Sequence, residues 1–148
     1  MTLPTIRPTV EELAYVAGFI DGEGCVHGHW AMARGSKVKI GTARLTVGST
    51  NLDVLLFCQK LFGGSISKRD IPRPRATKVS WAWCIGSQAT VRCLEMILPY
   101  LIVKRPEAEV AIELGKYVRP RGHVPLSEDE LKARALLVVE LFRLKRAV

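Results

Sequence analysis

The stretch Leu13-Ala14-Tyr15-Val16-Ala17-Gly18-Phe19-Ile20-Asp21-Gly22-Glu23-Gly24 decides how the rest of the chain is read. Thr9, followed three residues later by Glu12, forms a capping box, which predicts a helix from Val10. Gly22 and Gly24 interrupt it, so the helix is expected to end near Asp21. It is apolar almost all round, which calls for burial on more than one side. Ala14, Ala17 and Gly18 cluster on one stripe, where the missing side chains would let a second backbone come close. Asp21 and Glu23 then follow at the helix C-terminus, an end that carries roughly half a negative charge and favours cations. Two carboxylates there need a compensating positive charge, and a divalent cation is the simplest candidate.

Residues 16–24, Val-Ala-Gly-Phe-Ile-Asp-Gly-Glu-Gly, resemble the LAGLIDADG homing-endonuclease signature position by position. The departures are conservative: Val and Phe for Leu, Gly for Ala, Glu for Asp. A buried helix ending in a glycine-rich turn is the bland alternative, and it leaves the two acids at a negative helix end unexplained.

At 148 residues the chain is expected to form one domain with a substantial core: a lead-in at 1–8, a core at 9–103 and C-terminal helices at 104–148. It has no apolar run long enough for a membrane span and no signal-peptide layout, so no membrane partner and a soluble intracellular protein are expected. Cys25, Cys58, Cys84 and Cys93 show no C-x-x-C spacing and read as reduced, mostly core thiols. The net charge of +8 is confined: residues 25–103 hold eleven Lys/Arg against three acids, and the rest of the chain is balanced. Such a footprint suits a polyanion, nucleic acid above all, better than a merely solubilising surface does.

Hydropathy alternation predicts strands at 24–34, 37–49, 65–69 and 77–85, with a turn at Gly35-Ser36 and a basic loop at 72–76. Helices are expected at 52–62, capped by Thr50 or Asn51; from Ser87, as cap, to Leu98; at 106–117; and at 128–146 behind the capping box of Ser127 and Glu130. A Pro/Gly-bearing linker occupies 119–125. The class is therefore α+β, in the order αββαββα with one four-stranded antiparallel sheet, followed by C-terminal helices.

That order also resembles the homing-endonuclease fold. The resemblance implies a saddle-shaped sheet whose one face enters the major groove of double-stranded DNA. One sheet face must be apolar to meet the helices, and parity then puts His27, His29, Thr42, Arg44, Thr46, Ser67 and Arg69 on the DNA side, with Trp81 and Trp83 inward. Arg34, Lys37, Arg73, Arg75 and Lys78, in or beside turns, are expected to touch phosphates. His27 and His29 share a strand face as a metal pair would, but without a nearby third ligand they read as DNA-facing polar residues.

The reaction implied is metal-dependent phosphodiester hydrolysis. Glu23, with the Gly22 carbonyl, is the expected Mg²⁺ ligand set. Asp21 is expected to satisfy backbone groups at paired helix ends rather than to serve as a second ligand. By resemblance, residues 98–105 carry a catalytic lysine, Lys104. A water-positioning residue at the end of the second strand falls on Ser49, or on Asn51 if the register slips. A single signature implies a single site per chain. A double-strand break then calls for a homodimer joined through Ala14, Ala17, Gly18 and Asp21. The alternatives within the same fold are a non-cleaving DNA binder and an RNA-binding maturase; outside it, a basic nucleic-acid protein without sequence preference.

Overall fold

The computed structural model describes residues 7–32, 37–69, 78–117 and 127–146. The order is α1 (Val10–Glu23), β1 (Gly24–Met32), β2 (Lys39–Ser49), α2 (Leu52–Phe62), β3 (Ser65–Arg69), β4 (Ser80–Gly86), α3 (Ser87–Ile97), a 3-10 turn (Leu98–Tyr100), α4 (Arg105–Gly115) and α5 (Glu128–Arg146). The strands form one antiparallel sheet in the order β1-β2-β4-β3, so the expected α+β class holds. The turn at 35–36, the basic loop at 72–76 and the linker at 119–125 lie outside the described residues, and so does most of the lead-in.

Both bonds of the first capping box are present. The Thr9 N–H donates to Glu12 Oε1 at 2.9 Å and the Glu12 N–H donates to Thr9 Oγ1 at 3.1 Å. The helix runs two residues beyond the expected end at Asp21, so Glu23 is its last residue and Gly24 its cap, with the Gly24 N–H bonded to the Ile20 carbonyl. Asn51, not Thr50, caps α2, its side chain accepting the Val54 N–H at 3.2 Å. The expected cap Ser87 is instead the first residue of α3; the cap position is Gly86, with no side-chain cap bond. The strand ends and the ends of α4 shift by one to three residues, as helix and strand termini do when tertiary packing outweighs local propensity.

The core lies between one sheet face and the helices. Val26, Ala43, Leu45, Val47, Trp83 and Ile85 pack from the sheet against Val16, Ala17, Ile20, Leu55, Leu94, Ala108 and Leu141. Parity is right for every one of these strand residues, but cover is not uniform. Trp30 and Met32 share the parity of Val26 and are 40% and 58% exposed, at the far end of β1, an edge strand of the sheet. Trp83 is fully buried and its indole N–H donates to the Gly63 carbonyl at 2.8 Å, whereas Trp81 is half-buried at the margin. The long helix α5 lies directly on β1 and β2. A Cβ at Gly28 or Gly41 would stand 2.7 Å from the Val138 side chain, so both positions need glycine for this approach. Arg134, almost fully buried, donates to the Gly41 carbonyl at 2.9 Å in the same seam.

Candidate nuclease site and nucleic-acid face

The C-terminus of α1 and the loop at 102–104 are locked together. The Asp21 carboxylate accepts backbone N–H groups from Ile102 (2.8 Å), Val103 (3.1 Å) and Lys104 (2.8 Å). In return the Lys104 ammonium donates to the Asp21 carbonyl at 3.2 Å. Part of the compensation that the helix end demands is thus a lysine, which meets one of the last carbonyls of α1 where a cation is favoured. Asp21 does satisfy backbone groups, but those of its own chain. Its carboxylate is therefore engaged within the subunit.

Glu23 is different. Its side chain is exposed and has no hydrogen-bond or ion-pair partner among the described residues. The Gly22 carbonyl beside it has no helical donor four residues on, because the chain has left the helix by Gly24. One unpartnered hard carboxylate and one free carbonyl suit an oxygen-seeking divalent ion. They cannot enclose one, and among the described residues no group of three or more His, Cys, Asp or Glu could hold a metal. Remaining ligands would have to come from water, phosphate or a second copy.

Ser49 ends β2, and its Oγ accepts the Asn51 N–H at 3.0 Å. That turn leaves the Ser49 hydroxyl proton available, while the Asn51 side-chain oxygen is engaged as the cap of α2.

The sheet face turned away from the helices carries the expected residues. His27, His29, Thr42, Arg44 and Thr46 are half-exposed on it, Ser67 and Arg69 exposed, and no strand contains Asp or Glu. Neither Arg44 nor Arg69 meets a carboxylate among the described residues. Lys37 and Lys78 are exposed just outside the strands; Arg34, Arg73 and Arg75 lie outside the described residues. The His27 Nε2 is 3.2 Å from Thr46 Oγ1, and the Thr42 hydroxyl donates to the His29 carbonyl at 3.2 Å. Burial lowers the His27 pKa from its ordinary value. The positive charges of Lys145 and Arg44, and His29, act in the same direction, against a backbone bond at Gly28 that raises it. These influences favour the neutral form of the His27 ring.

Sequence reasoning missed part of this face. Two of the four cysteines are core thiols: burial pushes Cys58 up to about 11 and pushes Cys93 up as well. Cys25 and Cys84, however, are half-exposed and stand on the outer face, in register with Thr46 on either side. Their strand parity was the available signal, since Cys25 alternates with the buried Gly24 and Val26. Glu107, at the first turn of α4, is also unexpected: it is buried, and its Oε2 has no hydrogen-bond partner among the described residues. Of the small-residue stripe, Ala14 and Gly18 are exposed, but Ala17 is wholly buried in the subunit's own core, so it cannot meet a second copy.

No protein-family model matches the chain. Among characterised proteins it is 29% identical over 109 residues to the DNA endonuclease I-CvuI of Chlorella vulgaris, a match covering 71% of this chain and 64% of that protein. The crystal structure of I-CvuI with its target in the presence of calcium superposes with a TM-score of 0.73 at 26% identity, over 90% of this chain and 82% of that one. The fold is that of the LAGLIDADG homing endonucleases. The archaeal intron-encoded endonuclease I-Vdi141I, complexed with DNA, shares it at a TM-score of 0.71 and 19% identity, covering 90% of this chain and 84% of that one. The LAGLIDADG endonuclease I-SmaMI, bound to cleaved DNA, shares it at a TM-score of 0.58 and 20% identity; 91% of this chain matches only 43% of that one. No helix among the described residues is long and apolar enough to cross a membrane.

Proposed function

We propose that this chain is a site-specific DNA endonuclease that acts as a homodimer with a divalent cation, Mg²⁺, and cuts both strands of a long, nearly palindromic duplex. The observation that carries this reading is the exposed, unpartnered Glu23 carboxylate, set at the edge of an acid-free basic sheet face beside the clamped Lys104.

Glu23 and the Gly22 carbonyl would hold the cation against the scissile phosphate. Such an ion, when bound, supplies an activated water and relieves charge on the phosphate and the leaving oxygen. Lys104, fixed at the same helix end, presents a cation to the phosphate, and the free Ser49 proton can orient water. Arg44, Arg69 and His27 read base edges, while Lys37 and Lys78, with Arg34, Arg73 and Arg75, contact phosphates.

A dimer follows from arithmetic at the site: one chain offers one Glu23, and two strands need two. The exposed face of α1 carries Ala14, Gly18 and Gly22, where an added Cβ at either glycine would meet nothing within 4 Å. A second α1 can therefore approach closely. The small share of I-SmaMI that this chain matches leaves room in that longer chain for two such units.

The test is Glu23→Gln, which keeps the shape of the side chain and removes the charge. With Mg²⁺, cleavage of a target selected from a random duplex library should fall by several orders of magnitude, whereas binding of that duplex should persist. A variant that cuts at the wild-type rate refutes the assignment of Glu23, and a wild type that binds its selected duplex without cutting it in Mg²⁺ leaves a DNA-binding module.

A further inference from the structure

The DNA-side face of the sheet is not chemically uniform. Along the strands it can be taken in rows of paired residues. At the Glu23 end Arg69 pairs with Ser80, and in the next row Gly48 pairs with Ala82 and Ala82 with Ser67. The next row is Cys25–Thr46–Cys84–Ser65, crossing all four strands. Beyond it come His27–Arg44–Gly86 and then His29–Thr42. Formal charge and ring nitrogens are thus confined to the outer rows, apart from Arg69, whose guanidinium reaches back over Gly48.

The row through Thr46 is short of hydrogen-bonding capacity. The Thr46 hydroxyl is engaged on both sides, with His27 Nε2 at 3.2 Å and, as donor, with Cys84 Sγ at 3.6 Å. On β1, β2 and β4 this leaves the Thr46 methyl and two half-exposed thiols, which behave as small hydrophobes with weak S–H donors; the exposed Ser65 hydroxyl lies at the β3 margin of the row, outside this apolar stretch. A guanine edge asks for Arg or Lys and a cytosine edge for an acceptor carboxylate; this row holds none of these. Thymine alone presents an apolar group, its C5-methyl, to the major groove.

Resting on the reading of this face as the DNA-binding surface, we propose that the Cys25–Thr46–Cys84 row is a specificity element that selects an A·T pair in each half-site by packing against the thymine methyl. Neither cysteine is a nucleophile or a metal ligand in this account. Both act by shape and by the absence of a competing donor or acceptor.

The experiment uses the wild-type full-length protein. A duplex library is selected for binding in Ca²⁺, and each thymine of the preferred target is then replaced in turn by deoxyuridine, which deletes only the methyl group. At one symmetric pair of positions, deoxyuridine should weaken binding about fourfold per half-site, and about fifteenfold when both are changed, the cost of one buried methyl each. In Thr46→Ser, which keeps the hydroxyl and loses the methyl, and in Cys84→Ser, the thymine-to-deoxyuridine ratio at that position should fall toward one. Selection of G·C pairs throughout, equal binding of thymine and deoxyuridine everywhere, or a ratio unchanged in both variants would overturn the proposal while leaving site-specific binding standing. A library from which no sequence is enriched overturns the site-specific reading itself, and this row's role with it.

Discussion

Asp21 and Lys104 hold each other: the carboxylate of the first accepts the backbone N–H of the second at 2.8 Å, and the ammonium of the second donates to the carbonyl of the first at 3.2 Å. Two segments more than eighty residues apart are thereby fixed at one point, the point that also carries Glu23.

The first prediction is that Asp21→Ala loses stability and activity together. Three backbone N–H groups lose a charged acceptor, and since the site is partly solvated the cost should be about 2 kcal/mol rather than the sum of three buried bonds. Urea unfolding at fixed protein concentration reads this as a lower midpoint with an unchanged slope. Cleavage by the remaining folded protein should also drop, because Lys104 is no longer held. An unchanged midpoint would mean that the clamp contributes nothing in solution.

The second prediction concerns assembly. Gly18 has open space where a Cβ would stand, so Gly18→Leu costs the isolated subunit nothing in packing and gains about 1 kcal/mol of helix propensity. Any loss of association must then come from a partner. Sedimentation should show a dimer for the wild type and a folded monomer for Gly18→Leu. Ala17→Leu should instead fail to fold, because Ala17 is wholly buried. A Gly18→Leu dimer of undiminished affinity would move the interface elsewhere.

These contrasts also show what a sequence can and cannot reveal. The helix start, the sheet's two faces and the start of β1 at Gly24 were legible because each rests on local chemistry, a capping box and a two-residue period, whereas the glycine break placed the helix end two residues early. What Asp21 bonds to was not, since its partners lie in a loop that only the tertiary fold brings near. The same holds for Ala17 and Gly18, neighbours in sequence, one of which faces the core and one open space. Cys25 and Cys84 were misjudged by composition, although parity placed them on the outer face. Trp30 is the reverse case: its parity is inward, and nothing local could show that it would stand partly exposed on an edge strand.

The third prediction is a pH dependence. The His27 pKa is lowered in the folded protein, chiefly by burial, with Lys145, Arg44 and His29 adding to it. The unfolded chain therefore binds the proton first as pH falls. This residue's contribution to stability is fully present above the ordinary histidine value of about 6.5, and it is lost as pH drops from there toward the lowered folded value. An NMR titration of the His27 ring should give a pKa below that of an unstructured histidine. Replacing His27 with Gln should flatten the stability profile in the same window. A ring pKa above 6.5 in the free protein would show that the burial argument fails.

The fourth prediction separates specificity from stability at Gly48. A Cβ there would lie 2.8 Å from Arg69 Nη1 and 2.9 Å from its Cζ, so the guanidinium occupies the space that a side chain would take. The obstructing atoms are the far end of a flexible chain, and they can move at little cost. Glycine is a poor strand residue and valine a good one, so Gly48→Val should fold at least as stably as the wild type. Arg69, however, is pushed off the trough that Gly48 and its neighbour Ala82 form, and loses its pre-set aim at the groove. Binding selections should then show relaxed preference at one symmetric pair of positions, matching the pattern of Arg69→Ala and worth about 1–3 kcal/mol per half-site. The decisive measurement is the double variant. If Gly48 acts only by making room for Arg69, adding Gly48→Val to Arg69→Ala changes the preference no further, whereas additive losses would mean that valine obstructs the DNA directly.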